Sequence, residues 1–298
     1  MLMVAKKEYC KLSLFSTINL KGHKNMSEFD RVQETTSFQS VETLKQQLLT
    51  LGIQAGDAIM VHSSIKSMGW IAGGAKAVID ALMETITPQG TIVMAAQSAE
   101  NSEPSYWMLP PVPKDWHEPI RQHMPAYDPH LTPLRGMGKI AECFHRHPKT
   151  IRSYHPVHSF MAWGKNAEKW MMEHPLEDSF GMGSPLGTFL NENVKILLIG
   201  VGYDSCTALH LSENFLETKT YTNQGAAMLV DDERLWIEYQ SVDGDSDRFP
   251  ELGEAFEKTH ADAFFVAKLG QADCRVIQMK PLVEFGIEWL KVNPVVDQ

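Results

Sequence analysis

Residues 195–213 read KILLIGVGYDSCTALHLSE. The run KILLI is the clearest buried-strand pattern in the chain, because a short, continuous apolar stretch bounded by glycine suits a strand covered on both faces. Gly200 and Gly202 follow it, and a helix is expected over residues 208–217. Strand, glycine turn and helix is the order in which open α/β sheets place ligands outside strand carboxyl ends. Upstream, residues 58–62 (AIMVH) form a second short apolar run opening into polar residues. Residues 74–86 carry Ala77, Val78, Ala81, Leu82 and Ile86 on one helical stripe, Pro88-Gln89-Gly90 marks a turn, and residues 91–95 read as a strand. This order predicts a βαβ crossover with parallel pairing, and so an α/β fold.

Further out, a helix is expected over residues 41–51, with Ser40 to cap its start and Gly52 to end it. From Ser98 to Pro133 the periodicity vanishes into a stretch rich in Pro, Trp, Tyr and His. So long a loop with so many aromatics is read as an ordered excursion covering a site. Helices are expected near 139–146 and 167–172, and a strand near 159–163. After Gly225 two short strands, AAMLV and RLWIEY, are joined by Asp231-Asp232-Glu233 as a hairpin. A helix near 249–258, a strand at 274–279 and a last helix opening at Pro281 complete the pattern.

The chain has 298 residues, 43% hydrophobic and 21% charged, which allows a sizeable core and excludes global disorder. A single α/β unit with insertions is the leading expectation, with two lobes as the alternative. The net charge is −10. Residues 1–25 hold five lysines and one glutamate, so the remainder carries −14. Such acidity disfavours a binder of phosphate backbones and favours a cationic substrate. Residues 1–25 are expected to be a disordered extension, with residues 26–298 as the folded domain. They show no apolar run of signal-peptide length, and no stretch of the chain approaches the roughly 20 apolar residues of a membrane-spanning helix. Cys10, Cys143, Cys206 and Cys274 are scattered without metal-type spacing, as expected of reduced thiols in a cytoplasm.

Four segments can carry chemistry. In residues 61–74, VHSSIKSMGWIAGG, a strand ends in His62, two hydroxyls follow, and glycines lead into a helix start that offers free N–H groups. A purely structural βα turn fits equally well, and neither a dinucleotide fingerprint nor a Walker loop is present. In residues 200–213, His210 and Glu213 stand three apart and share one helical face. A carboxylate beside an imidazole fixes its tautomer and suits it to act as a general base. Thr207 lies one turn earlier and Asp204 in the loop. A satisfied histidine with a solvated glutamate is the bland alternative. Cys206, four residues before His210, admits a thiol-nucleophile reading, although a cysteine after a strand more often fills apolar space. In residues 152–160, RSYHPVHSF, two histidines three apart give only a weak metal pattern, and no metal is expected. Asp128 sits in the Pro-rich loop AYDPHLTPLRGMG, where it can hold an amine or be solvated.

These segments resemble the aminoglycoside 3-N-acetyltransferase family, the antibiotic acetyltransferases without the GNAT fold, and most nearly its Bacillus-type branch. The resemblance is carried by VHSSIKSMGWIAGGAKAVIDAL with GTIVM, by DPHLTPLRGMGKIAECFHRHPKTIRSYHPVHSFMAWG, by SPLG, by ILLIGVGYDSCTALHLSE and by GQADCR, in family order from about Glu34 to Trp289. It implies an α/β/α sandwich with a central mostly parallel sheet and a small β-rich C-terminal portion. It implies acetyl-CoA as co-substrate, and an acetyl transfer to an amine of an aminoglycoside or related amino sugar, as in antibiotic resistance. His210 matches the catalytic base, Glu213 its partner, and Thr207 the hydroxyl one turn earlier. Ser63, Ser64, Ile65, Gly69, Trp70, Ile71 and Gly74 match coenzyme contacts, as do Arg152, Ser153 and His155. Asp128 and Asp204 match acidic positions on the acceptor side. The expected partners are a small-molecule amine and coenzyme A, without nucleic acid or membrane, and a homodimer is left open. The chain departs from the antibiotic-resistance enzymes in the long aromatic excursion 102–124. A Cys206/His210 amide hydrolase and a non-catalytic binder of CoA or amine are the alternatives to test.

Overall fold

A computed structural model describes residues 28–294. The expected extension at residues 1–25 lies outside the described residues. The strands are β1 (Ala58–Ser63), β2 (Thr91–Ala95), β3 (Ile151–Arg152), β4 (Phe160–Gly164), β5 (Lys195–Ile199), β6 (Tyr221–Val230), β7 (Glu233–Val242), β8 (Phe264–Leu269) and β9 (Ala272–Gln278). The helices are α1 (Glu28–Glu34), α2 (Val41–Thr50), α3 (Gly74–Ile86), α4 (Lys114–His123), α5 (Gly138–His145), α6 (Ala167–Met171), α7 (Pro185–Asn191), α8 (His210–Asn214), α9 (Phe249–Thr259) and α10 (Met279–Val292).

Among the described residues, seven strands form one sheet in the order β3-β4-β2-β1-β5-β9-β8. The βαβ crossover is present: β1 pairs parallel with β2 on one side and with β5 on the other. The flanking pairings are antiparallel, yet five of the seven strands point the same way. β6 and β7 make a separate hairpin, which is the small β portion.

Side-chain alternation sends Ile59, Val61, Leu197 and Ile199 to one face, against α2, α3 and α5. Met60, Ile196 and Leu198 go to the other, against α6, α7, α9 and α10. Both faces are covered, which is why KILLI carries no polar alternation. The result is the expected α/β/α sandwich. Ser40 caps α2 reciprocally with Thr43.

The observed elements differ from expectation in several places. The helix expected over 208–217 is a tight turn at Thr207–Leu209 followed by the short α8. Asn214, its last residue, donates from its side chain to the His210 carbonyl at 2.9 Å. The excursion contains α4, anchored by Arg121 on the mostly buried Glu103 carboxylate at 2.5 Å. The last helix opens at Met279, so Pro281 sits inside its first turn, where its missing N–H costs nothing.

Candidate active site

The β1–β5 pairing brings two of the four segments to one sheet edge. Ser63 lies opposite Ile199, and the Ser64 N–H donates to the Ile199 carbonyl at 2.9 Å. Beyond β5, Gly200 has a φ of 60°, and a Cβ there would lie 1.8 Å from Ser67 Oγ. Glycine is therefore required for the two loops to meet. Ser63, Ser64 and Ile65 are half-buried at this edge.

Past the glycine turn, α8 presents His210 and Glu213. His210 Nδ1–H donates to Glu213 Oε2 at 2.7 Å. Glu213 Oε1 accepts the Asp245 N–H at 2.7 Å. Gly244 packs against the pair, for a Cβ there would lie 2.8 Å from both Glu213 Oε2 and His210 Nδ1. Phe180 stacks on the imidazole at 4.9 Å and 14°, and Phe249 meets it edge-on at 4.9 Å. With Nδ1 protonated and held, Nε2 carries the lone pair, and it has no hydrogen-bond partner among the described residues. Chemically, an imidazole held this way can accept a proton at Nε2. Thr207 lies buried one turn before it.

Cys206 is different. It is 1% exposed, and burial pushes its thiol up to about 12. Burial of this kind disfavours the thiolate, which weighs against the hydrolase reading.

The other expected residues separate by environment. Gly69, Trp70 and Ile71 pack on the chain itself: the Trp70 N–H donates to Thr35 Oγ1 at 2.8 Å, Ile71 bridges Gln39, and Gly69 faces Gln271. Gly74, half-buried with a φ of 58°, opens α3. Arg152 is buried and donates to Ser159 Oγ, Thr132 O, Ala96 O and Ser98 Oγ at 2.6–2.9 Å. Its guanidinium lies 5.1 Å from the Tyr127 ring centroid. It thus ties the end of the excursion to the sheet edge. Ser153 and His155 are fully buried. His155 Nδ1 accepts the N–H groups of Val157 and His158, and its Nε2–H points to the Leu176 carbonyl. Asp128 Oδ1 accepts from the His130 and Leu131 N–H groups, forming the turn that follows it. Asp204 is exposed, and Asp247 is raised by burial and then by Asp245 and Asp204, which places three carboxylates together beside the Gly244 loop. The excursion reaches the same loop, since Tyr106 is raised by burial and then by Glu103 and Asp243.

Sequence reasoning did not reach Gly244, Asp245, Phe180 or His174, and it weighed His158 only as half of a weak metal pattern. The Asp-Gly-Asp at 243–245 signals a turn, but nothing in it signals contact with residue 213. Two surface grooves lie elsewhere: about 510 Å³ between Trp107, Trp116 and Met124 of the excursion, and about 240 Å³ between Asp178 and Lys219. Neither has His210 in its wall.

A doubly covered α/β sheet carries, at the ends of its strands, an imidazole oriented by a carboxylate and a buried thiol four residues before it. The aminoglycoside 3-N-acetyltransferase family model matches residues 60–291. The SPbeta prophage-derived aminoglycoside N(3')-acetyltransferase-like protein YokD of Bacillus subtilis is 42% identical over 263 residues, covering 88% of this chain and 96% of that one. Its crystal structure superposes with a TM-score of 0.87 at 39% identity, over 90% of this chain and 100% of that one. A binary complex of AAC-IIIb with CoASH superposes with a TM-score of 0.77 at 28% identity, over 86% and 98%. AAC-VIa bound to sisomicin does so with a TM-score of 0.76 at 30% identity, over 87% and 100%. The chain belongs to the aminoglycoside 3-N-acetyltransferase family and is an acyltransferase. Among the described residues no helix is long and apolar enough to cross a membrane.

Proposed function

We propose that this protein transfers the acetyl group of acetyl-CoA to an amine of an aminoglycoside or related amino sugar, with His210 as general base. The carrying observation is the chain Asp245 N–H, Glu213, His210 Nδ1, which leaves Nε2 free to take a proton. An amine must be neutral to attack, and most are protonated near neutral pH. As the acceptor nitrogen bonds to the thioester carbon, its proton passes to His210 Nε2. The C–S bond breaks, and that proton returns to the leaving thiolate. Glu213 stabilises the imidazolium in between. The Thr207 hydroxyl, one turn before His210, is assigned to the developing oxyanion, a role worth several kcal/mol in such sites.

Ser63 and Ser64 fit a coenzyme best. They are half-buried at the sheet edge, and their hydroxyls have no partner among the described residues. Arg152, Ser153 and His155 fit it poorly, because their polar groups are already bonded within the protein. The carboxylates of Asp204, Asp245 and Asp247 favour a cationic acceptor. Asp128 is assigned to the acceptor side through its remaining oxygen. The complex of AAC-IIIb with CoASH and that of AAC-VIa with sisomicin support this pair of ligand classes. The free thiols of Cys143, Cys206 and Cys274 support a cytoplasmic setting.

The test is thiol release from acetyl-CoA with an aminoglycoside panel that includes sisomicin. His210→Ala is expected to lower turnover by about 10²–10⁴-fold. Full activity in that variant removes the assigned base, and no binding of acetyl-CoA by calorimetry removes the donor.

A further inference from the structure

The His210–Glu213 hydrogen bond fixes one atom of the imidazole, but a single contact leaves the ring free to tilt about it. The ring plane is set by something else. Phe180 covers one face of His210 with centroids 4.9 Å apart and planes 14° apart. The other face of Phe180 meets His158 at 4.5 Å and 28°, and His158 stacks on His155 at 5.4 Å and 21°. These rings form one column that ends on the proposed base.

The column is anchored at the Phe180 level. Gly183 N–H donates to Asp178 Oδ2 at 2.6 Å, and a Cβ at Gly181 would lie 1.7 Å from Asp178 Oδ1, so the loop winds tightly around that carboxylate. Next to Phe180, the Ser179 hydroxyl meets His158 Nδ1 at 3.0 Å, and the Ser179 carbonyl accepts from His174 Nε2 at 2.8 Å. Phe160 presses edge-on against Phe180 at 6.1 Å. Phe180 therefore has little freedom of its own, and its face is a fixed wall for the imidazole.

We propose that Phe180 is a positioning residue for the transfer: it fixes the plane of His210 so that Nε2 points at the acceptor nitrogen, and it keeps water off that face of the ring. This inference rests on His210 being the base. A base held loosely loses orientation, and small misplacements of a reacting group are costly in rate. Phe180 touches neither reactant in this account, so it acts only through His210.

The test is a double-mutant cycle with Phe180→Leu and His210→Ala, read by thiol release from acetyl-CoA with sisomicin. Hydrolysis of acetyl-CoA by water, the simplest acceptor, carries the same comparison. Phe180→Leu is expected to lower kcat at least about tenfold, to leave the KM for acetyl-CoA within about twofold, and to be rescued by Phe180→Tyr, which keeps the ring. In the His210→Ala background it is expected to cost less than about twofold, because the group it orients is gone. Equal loss in both backgrounds, or full activity of Phe180→Leu, overturns the proposal and leaves His210 as the base. Full activity of His210→Ala overturns the base itself. A second readout needs no turnover: the His210 ring protons, assigned by their loss in His210→Ala, should resonate upfield under the Phe180 ring and return to ordinary positions in Phe180→Leu. Resonances that do not move overturn the stack.

Discussion

The Asp245 main-chain N–H donates to Glu213 Oε1 at 2.7 Å, while Glu213 Oε2 accepts from His210. Main chain and imidazole thus hold the two oxygens of one carboxylate. A carboxylate fixed at both ends fixes the tautomer of the imidazole it faces and the position of its Nδ1. The proposed base is therefore positioned by the loop after β7 as much as by α8.

Gly244 offers the most direct test of that arrangement. A methyl group at this position would lie 2.8 Å from both Glu213 Oε2 and His210 Nδ1. Either the loop withdraws and the Asp245 bond is lost, or the pair moves. Gly244→Ala is expected to reduce kcat by about tenfold or more with little change in the KM for acetyl-CoA. Steady-state kinetics with thiol detection reads both. An unchanged kcat would show that the loop does not set the geometry.

Cys206 lies close in sequence to His210, but burial raises its thiol to about 12. Cys206→Ser is expected to keep kcat within about threefold, since no thiolate takes part. Its melting temperature should fall by a few degrees, because a hydroxyl replaces a thiol in a 1%-exposed apolar setting. Iodoacetamide should leave Cys206 unlabelled in the native protein, as read by peptide mass mapping. Loss of activity together with labelling would restore the thiol-nucleophile reading.

Much of this architecture was legible because its signals were local. The strand β5 coincides with the apolar run KILLI, and α3 with the stripe Ala77, Val78, Ala81, Leu82. The His210–Glu213 pair followed from helical spacing alone. The elements that escaped lack such signals. β8 exposes Phe265 and Val266 at the sheet edge, so no face alternation marks it. α4 buries none of its residues and contains Pro119, so neither a stripe nor helix propensity reveals it. α7, also not expected, opens with Ser184 as cap and Pro185 at the first position, but at seven residues it is too short to show a periodic stripe. The contacts of Gly244, Asp245 and Phe180 with residues 210 and 213 span some thirty positions of chain. They exist only once β7 and the 178–183 loop are packed.

Arg152 matches a coenzyme contact by sequence resemblance, yet its geometry is that of a tether. It donates to Ala96 O, Ser98 Oγ, Thr132 O and Ser159 Oγ from a buried position. A lysine keeps the charge but cannot reproduce that planar set of donors. Arg152→Lys is expected to destabilise by about 2–4 kcal/mol in urea unfolding, with the KM for acetyl-CoA unchanged. A tenfold rise in that KM at unaltered stability would restore the coenzyme assignment.

Buried imidazoles make the fold sensitive to acid. Burial lowers His62 to about 4 and His174 to about 4; His158 is lowered to about 3 by burial and then by His210 and His174. His155 is held well below its ordinary value by burial and then by His174 and His158. In the unfolded chain each returns to about 6.5. Above that pH these groups are neutral in both states and stability does not depend on them. As pH falls from about 6.5 towards 4, the unfolded chain takes up protons that the folded chain refuses, so stability falls. At pH 5 the loss is on the order of 2 kcal/mol for each such histidine, against a total stability of about 5–15 kcal/mol. Urea midpoints should therefore be level between pH 8 and 7 and drop steeply between pH 6.5 and 5, a range in which ordinary carboxylates stay mostly ionised. His158→Gln should reduce the slope by about one proton near pH 5. A midpoint that stays level down to pH 5 would mean that these imidazoles accept protons in place, and that the ring column does not depend on their neutrality.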